Sequence, residues 1–370
     1  MDGQIKEKMI KHTHINAEIL PLTGIRSVAA LWVVAFHMQK HIYEAFPAFR
    51  PVLTPIVSHG YLGVDLFFIL SGFILYYNYH QRIDRLNTSV YWNFIVMRLA
   101  RIWPVHVFIL LAFLLLLFIQ KMAGQTPSNP ELYTALGWIS SFLMIQGWSL
   151  PLNVSWNAPA WSISCEWAAY LLFPPAIFIS RKIPQAHRHA NIIITIIALT
   201  FTLTLCQLLK ADASASWGLI RIAGEFVAGC AICDIFLKTK GNLKHWNVIT
   251  PALFVALVYF NSAIFPKLGL VSYFSIPILA LIILGLAHQQ CFVSKFLSTK
   301  PMLYGGYISY SVYMVHSLCL IVVSRAYKYL PSCAIPFVSI IFILICASII
   351  YKFIEEPSRI KMRKLILKFE

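Results

Sequence analysis

Residues 22–41 of the chain read LTGIRSVAALWVVAFHMQKH, an apolar run of membrane-helix length that nevertheless contains Arg26 and His37. The two residues are eleven positions apart. At about 100° per residue that spacing is about three turns plus about 20°, so both side chains point the same way. They lie about 16 Å apart along the helix axis. Ionisable groups inside a membrane helix are unfavourable and typically mark a pathway or a reaction site.

The composition is that of a polytopic membrane protein. The 370 residues are 59% hydrophobic and only 12% charged, whereas a soluble domain has about 25% charged residues. Residues 134–147 are apolar but short, which predicts an interfacial or re-entrant segment. The longer apolar runs predict an all-α bundle of about ten transmembrane helices. These spans are 23–42, 60–80, 101–121, 159–180, 191–209, 217–237, 246–261, 271–288, 302–325 and 333–354.

The basic residues predict an orientation for this bundle. Most of the 30 Lys and Arg residues fall in segments on the same side as the N-terminus, and the positive-inside rule places that side in the cytoplasm. Both termini are expected there, and the net charge of +16 follows from topology, not from binding of nucleic acid. We divide the chain into a cytoplasmic N-terminal tail (1–21), one membrane domain (22–356) and a basic cytoplasmic C-terminal tail (357–370).

Further ionisable residues fall within the predicted spans, and we expect them in the outer part of the membrane, at the depth of His37. They are Asp65, Glu166, Arg221, Glu225 and His316. The arginine and the glutamate of span 217–237 are four residues apart, so they also fit a structural ion pair. The histidine also fits a hydrogen-bonded packing role. The carboxylates of the second and fourth spans are harder to explain by structure alone, because an unpaired carboxylate in lipid is unfavourable.

A second group of cations is expected near the inner surface. Arg26 lies near the inner end of the first helix, and Arg98 and Arg101 are predicted to open the third helix. Two arginines three residues apart share a helix face, and their planar guanidinium groups suit phosphate, although both also fit simple positive-inside anchors. Cys230 and Cys233 form a C-x-x-C without a second pair inside an apolar run, so no metal site is predicted.

Six segments, in their order along the chain, resemble acyltransferase family 3, whose members are membrane proteins that acylate carbohydrates and other acceptors at bacterial surfaces. The resemblance covers about residues 20–359. The segments are LTGIRSVAALWVVAFH (22–37), GYLGVDLFFILSGF (60–73), RLARIWP (98–104), WSISCEWAAYLLFP (161–174), SYSVYMVH (309–316) and FIEEPSR (353–359).

The resemblance implies a cytoplasmic acyl-CoA as co-substrate, with no permanently bound cofactor, and a carbohydrate acceptor on the far side of a bacterial cytoplasmic (inner) membrane. The acyl group is expected to be acetyl, by its frequency in the family. The acceptor is left open among O-antigen, exopolysaccharide, peptidoglycan and smaller glycosides. Some members continue into a soluble esterase-like domain. No such domain is expected from this sequence, so we expect the membrane domain or a separate periplasmic partner to complete acylation. A homo-oligomer is also left open.

The resemblance further implies roles for individual residues. Arg26 and His37 match the central pair of the family, Arg98 and Arg101 match its R-x-x-R element, and all three arginines are expected to hold the donor phosphates. The histidine takes the proton of an acceptor hydroxyl as a general base. Asp65 or Glu166 orients the imidazole in the manner of a catalytic triad; the choice between them stays open, as does an acyl-enzyme on the histidine or on a serine. The supporting set comprises Ser71, Trp161, Ser162, Arg221, Glu225, Tyr313 and His316.

Two other functions fit parts of the pattern. An ion-coupled transporter or flippase for a polysaccharide precursor also carries ionisable residues inside its helices, and inverted repeats, which would favour it, are not evident in the sequence. A structural subunit of a polysaccharide assembly would leave the outer polar residues unexplained. The sequence therefore favours an acyltransferase.

Overall fold

The computed structural model describes residues 17–83, 85–127, 129–148, 155–182, 193, 218–239, 245–262, 271–289 and 291–369. Regular structure in these ranges is helical, with no β-strand among them. The helices are α1 (Leu20–His37), α2 (Gln39–Ala45), α3 (Arg50–Val57), α4 (Leu62–Tyr79), α5 (Thr88–Met122), α6 (Ala135–Phe142), α7 (Trp161–Arg181), α8 (Gly218–Thr239), α9 (Trp246–Phe260), α10 (Val271–Ala287), α11 (Phe292–Leu297), α12 (Lys300–Ser324), α13 (Ile335–Ile350) and α14 (Glu356–Phe369).

The structure confirms an all-helical membrane protein. Each predicted span that falls on described residues contains a helix; the span 191–209 lies outside them, apart from Ile193. Within the described ranges, six segments are long and apolar enough to cross a membrane, whereas α9 and residues 275–287 are apolar but shorter. The six are Leu20–His37, Pro47–Tyr79, Thr88–Met122, Ala158–Arg181, Lys300–Ser324 and Ile335–Leu365.

The start of the third helix was predicted wrongly. It begins at Thr88, where the side chain of Asn87 accepts a hydrogen bond of 2.8 Å from the amide of Val90 and so caps the first turn. Arg98 and Arg101 therefore lie about three turns inside a 35-residue helix and do not open it. This part of the helix was not predicted because its first turns contain polar residues, and the prediction used only the length of apolar runs.

The C-terminal segment is helical as well. α13 continues through a π-helical turn at Tyr351–Glu355 into α14. Such turns are rare and occur often at functional sites. Here the turn places Glu355 in the protein interior, with 2% of its surface exposed.

The helices around the site are held together by glycines. α1 and α12 run in the same direction: Gly305 and Gly306 lie against Ser27 and Thr23 near the start of both helices, and His316 lies beside His37 further along. α4 runs the opposite way, and Gly63 lies against the backbone of Ala29. Small residues permit this close approach between membrane helices. We call the two ends of the bundle the Arg26 end and the His37 end, after the residues of α1.

α8 lies parallel to α4, and the contact again depends on glycine. A side chain at Gly72 would clash with the backbone carbonyl of Phe226, and one at Gly229 would clash with that of Ile69. α7 runs alongside and connects to α5 through stacked rings of Phe94 and Phe173, with centroids 5.5 Å apart. These contacts fix the faces of α1, α4, α5, α7 and α12 that surround the site.

We expect Gly72→Leu to lower the stability of the protein by about 1–3 kcal/mol, because the new side chain would push α8 away from α4. Thermal unfolding of the purified protein in detergent measures the effect. Val227→Leu is the matched control, since Val227 is 37% exposed on the neighbouring surface of α8. Equal unfolding temperatures for the two variants would contradict the packing described for α4 and α8.

Candidate active site

A cavity of about 70 Å³ lies between α1, α4, α5, α7 and α12. Arg26, Arg98 and Arg101 line it together with Glu166 and Tyr170. All three arginines are half-buried. At about 10–15 Å³ per water centre the space takes about five waters. The sequence predicted these three arginines as one group, and the structure brings them to one cavity.

The cavity arginines have no carboxylate bound to them. Within the described residues, none of the three forms an ion pair. The Nε atoms of Arg26 and Arg98 are buried without a hydrogen-bond partner, and Arg98 Nη2 donates to the hydroxyl of Tyr79 at 3.3 Å. Buried donors without acceptors are uncommon. Together with the excess positive charge they suit an anionic ligand such as a phosphate.

Glu166 provides the carboxylate of this cavity. Its Oε1 accepts hydrogen bonds of 2.5 Å from the hydroxyls of Ser71 and Tyr170. Ser71 lies six residues beyond Asp65 on α4, about 9 Å further along the axis. Glu166 shares the cavity with Arg26, at the opposite end of α1 from His37, so the prediction that it lies at the depth of His37 was wrong.

The reason lies at the entry of α7. The side-chain amide of Asn157 donates to the backbone carbonyl of Met314 at 2.9 Å, two residues before His316. The chain is thus already at the level of that histidine before α7 begins, and Glu166 lies further along towards the Arg26 end. The depth of Glu166 was predicted from its distance to the end of the apolar run. That prediction failed because this run starts inside the protein.

Asp65, Arg221 and Glu225 form a second, separate group between α4 and α8. Arg221 Nη2 lies 2.5 Å from Asp65 Oδ1, and its Nε lies 4.0 Å from Glu225 Oε1. The guanidinium also lies 5.6 Å from the ring centre of Trp161. The carboxyl groups of Asp65 and Glu225 are both buried and lie close to each other. These contacts support the structural role that the sequence left open for Arg221.

His37 and His316 form the third group, at the opposite end of α1 from the arginines. Their ring centres are 4.8 Å apart. His37 Nδ1 lies 2.9 Å from the Val33 carbonyl oxygen, and His316 Nδ1 lies 2.5 Å from that of Tyr313. A carbonyl oxygen can only accept, so each Nδ1 carries the hydrogen and each Nε2 keeps its lone pair. His37 is exposed, whereas His316 is fully buried.

Among the described residues, no carboxylate is bonded to His37. Neither Asp65 nor Glu166 forms a hydrogen bond or an ion pair with it, because the first is bound to Arg221 and the second to Ser71 and a tyrosine. The expectation that one of the two orients the imidazole is thus not met. The ring is held instead by a backbone carbonyl of its own helix.

Tyr313 separates the arginine cavity from the histidine pair. It lines the cavity, and its ring lies 5.7 Å from that of His316 and 6.2 Å from that of Phe67. Its hydroxyl donates to the Pro159 carbonyl at 2.7 Å and accepts from Ser162 Oγ at 2.6 Å. The predicted supporting residues Ser162 and Tyr313 therefore lie together, in the wall between the two groups.

The C-terminal turn adds Glu355 and Arg359 to the surroundings of the cavity. From the sequence, the glutamate was only part of a family segment and the arginine only one of the cytoplasmic basic residues, so neither was predicted at the site. Glu355 accepts a hydrogen bond of 2.8 Å from Ser311 Oγ, and Arg359 lies 3.8 Å from it. Both lie within electrostatic range of Arg26 and Arg101. A glutamate at the end of the last apolar run, followed four residues later by an arginine, was the available signal.

The bundle and its polar groups define a multi-pass membrane protein with a buried site. Residues 20–352 match the family model of an Acyltransferase domain, and the chain belongs to this family, acyltransferase family 3. The resemblance inferred from the sequence motifs is confirmed.

Among its relatives, the acyltransferase MdmB of Streptomyces mycarofaciens is 28% identical over 81% of this chain and 78% of its own length. The O-acetyltransferase OatA of Staphylococcus aureus is 25% identical over 92% of this chain and 57% of its own. The putative peptidoglycan O-acetyltransferase YrhL of Bacillus subtilis is 23% identical over 95% and 56%. The chain thus spans a little over half the length of OatA and YrhL. No solved structure matches the chain.

We expect Arg221→Met to destabilise the protein by about 3–5 kcal/mol, because it leaves buried carboxylates without their cation. Glu225→Gln should change stability by less than about 1 kcal/mol, since Arg221 lies 4.0 Å from Glu225 and keeps its closer partner Asp65. Thermal unfolding in detergent compares the two. An equally large loss in Glu225→Gln would show that the second carboxylate is needed and would contradict this interpretation.

Proposed function

We propose that the protein is an O-acyltransferase of the bacterial cytoplasmic membrane. It moves an acyl group, in the first place acetyl, from cytoplasmic acyl-CoA to a hydroxyl of an extracytoplasmic glycan of the cell envelope, such as O-antigen, exopolysaccharide or peptidoglycan. The observation that carries the proposal is a cavity with three unpaired arginines on the same helix bundle as an exposed histidine base. The names of OatA and YrhL support acetyl transfer, and that of YrhL supports peptidoglycan among the acceptors.

The arginine cavity would receive the donor. Guanidinium groups bind phosphate through paired charged hydrogen bonds, and Arg26, Arg98 and Arg101 are exposed enough to be reached from the Arg26 end. The present cavity of about 70 Å³ is too small for a nucleotide. The nucleotide phosphates would therefore bind at the mouth of the cavity, and only the thin thioester arm would pass between the helices towards His37, about 16 Å further along α1.

The distribution of basic residues supports the orientation. With about ten spans and both termini in the cytoplasm, the positive-inside rule places the Arg26 end on the cytoplasmic side. The His37 end then faces the opposite side of the membrane. Donor and acceptor would approach from opposite sides and meet within the bundle.

The chemistry follows from the free nitrogen of the histidine. His37 Nε2 takes the proton of the acceptor hydroxyl while the hydroxyl oxygen attacks the thioester carbonyl. The new C–O bond forms, the C–S bond breaks, and the CoA thiolate leaves and takes the proton to become the thiol. The exposure of His37 lets an acceptor reach it without prior opening of the bundle.

We expect the purified protein in nanodiscs to transfer label from radioactive acetyl-CoA to a glycan acceptor as an alkali-labile ester. His37→Ala should lower this turnover by about 10²–10⁴-fold, the usual contribution of a general base. His245→Ala, an exposed histidine at the start of α9, is the control and should transfer at the wild-type rate. Retained turnover in folded His37→Ala protein would contradict the assignment of His37 as the general base. A wild-type protein that never transfers acyl groups, but takes up a glycan precursor with an ion gradient, would favour the transporter.

Replacement of Arg98 or Arg101 by Ala should raise the KM for acyl-CoA by about 10–100-fold, since a hydrogen bond to a charged group contributes about 1.5–3 kcal/mol. The KM for the acceptor should stay within about twofold, because the acceptor binds at the other end. Arg85→Ala, an exposed arginine outside the cavity, is the control. If the KM for acyl-CoA stays the same in both variants, these arginines do not bind the donor and act only as positive-inside anchors.

A further inference from the structure

His316 is a buried histidine whose position relative to His37 is fixed by the backbone. None of its surface is exposed, and its ring centre lies 4.8 Å from that of His37. The helices that carry the two residues run side by side in the same direction, with Gly305 and Gly306 pressed against α1. The packing of these two helices therefore brings both residues to the same level of the bundle.

The second nitrogen of His316 has no partner. Its Nδ1–H donates to the Tyr313 carbonyl, whereas its Nε2 is buried without a hydrogen bond. An unpaired buried acceptor is unfavourable, and the one on His316 belongs to a ring that lies beside the ring of His37. His37 is fixed in the same tautomer by Val33. Each of the two rings therefore has a lone pair on Nε2, and the two rings share no hydrogen.

Among the described residues, the two carboxylates considered as partners of His37 are already bound to other groups. Asp65 is paired with Arg221, and Glu166 accepts from two hydroxyls at the other end of the cavity. On α2, His41 lies 3.4 Å from Glu44 and against the ring of Tyr327. Tyr313, on the other side of His316, is held by Pro159 and Ser162.

We propose that His316 is the positioning residue for His37, in place of a carboxylate. Once His37 Nε2 has taken the proton of the acceptor hydroxyl, His316 Nε2 accepts a hydrogen bond from it and stabilises the imidazolium. The proton is held between the two nitrogens until the C–S bond breaks and is then given to the CoA thiolate. This step rests on the proposed acyl transfer and adds to it the identity of the group that supports the base.

The test compares an apolar and a polar replacement. His316→Leu removes the acceptor and should lower kcat by about 100-fold at saturating donor and acceptor, with both KM values within about twofold of wild type. His316→Gln keeps an acceptor oxygen near the position of Nε2 and should restore kcat to within about tenfold of wild type. His316→Met is a second apolar variant for the case that His316→Leu does not accumulate in the membrane.

His106→Leu is the control for a structural role. His106 is also buried, and it also has one bonded ring nitrogen (Nε2, to the Ser141 carbonyl) and one unpartnered nitrogen, but it does not line the cavity. It should lower the unfolding temperature without changing the kcat of the folded protein. A wild-type kcat in the apolar His316 variants would overturn the proposal, as would a His316→Gln variant that folds normally and is no faster than they are. Absence of acyl transfer in the wild type would instead reject the proposed function itself.

Discussion

A charged side chain at membrane depth is stable only when the protein supplies the partners that water supplies elsewhere. The polar groups of this bundle meet that requirement in different ways. Arg221 is paired with Asp65, and Glu166 is held by two hydroxyls. Arg26 and its two neighbours on α5 form no such pair within the described residues. Their positive charge exceeds that of the nearby carboxylates of Glu166 and Glu355, and an anionic donor would balance the excess.

The packing of two helices connects this charge to the histidines. α1 carries Arg26 near its start and His37 at its end, and α12 places Tyr310 in the arginine cavity and His316 beside His37. Because the two helices run in the same direction, each contributes to both groups. The two groups are therefore held at a fixed separation along one pair of helices, which is what transfer between opposite sides of a membrane requires.

Helices were predictable because the length of an apolar run is a local property of the sequence. The arrangement of the polar residues was only partly predictable, because it depends on which helices face each other. Asp65 and Glu166 lie at similar distances from their helix ends, yet one binds Arg221 on α8 and the other binds Ser71 on α4. Nothing local to either residue distinguishes these outcomes. The resemblance to a family identified the motifs, but not these contacts.

Tyr313 shows how the arginine cavity can open without disturbing the histidines. Its side chain lines the cavity, whereas its backbone carbonyl accepts the hydrogen bond that fixes the tautomer of His316. Rotating the side chain would break the bonds to Pro159 and Ser162, at about 0.5–1.5 kcal/mol each, and would move the ring from its place beside Phe67. The carbonyl belongs to the helix backbone and stays in place. In the proposed transfer, an acyl arm would therefore displace the tyrosine ring while His316 keeps the tautomer that leaves Nε2 available to His37.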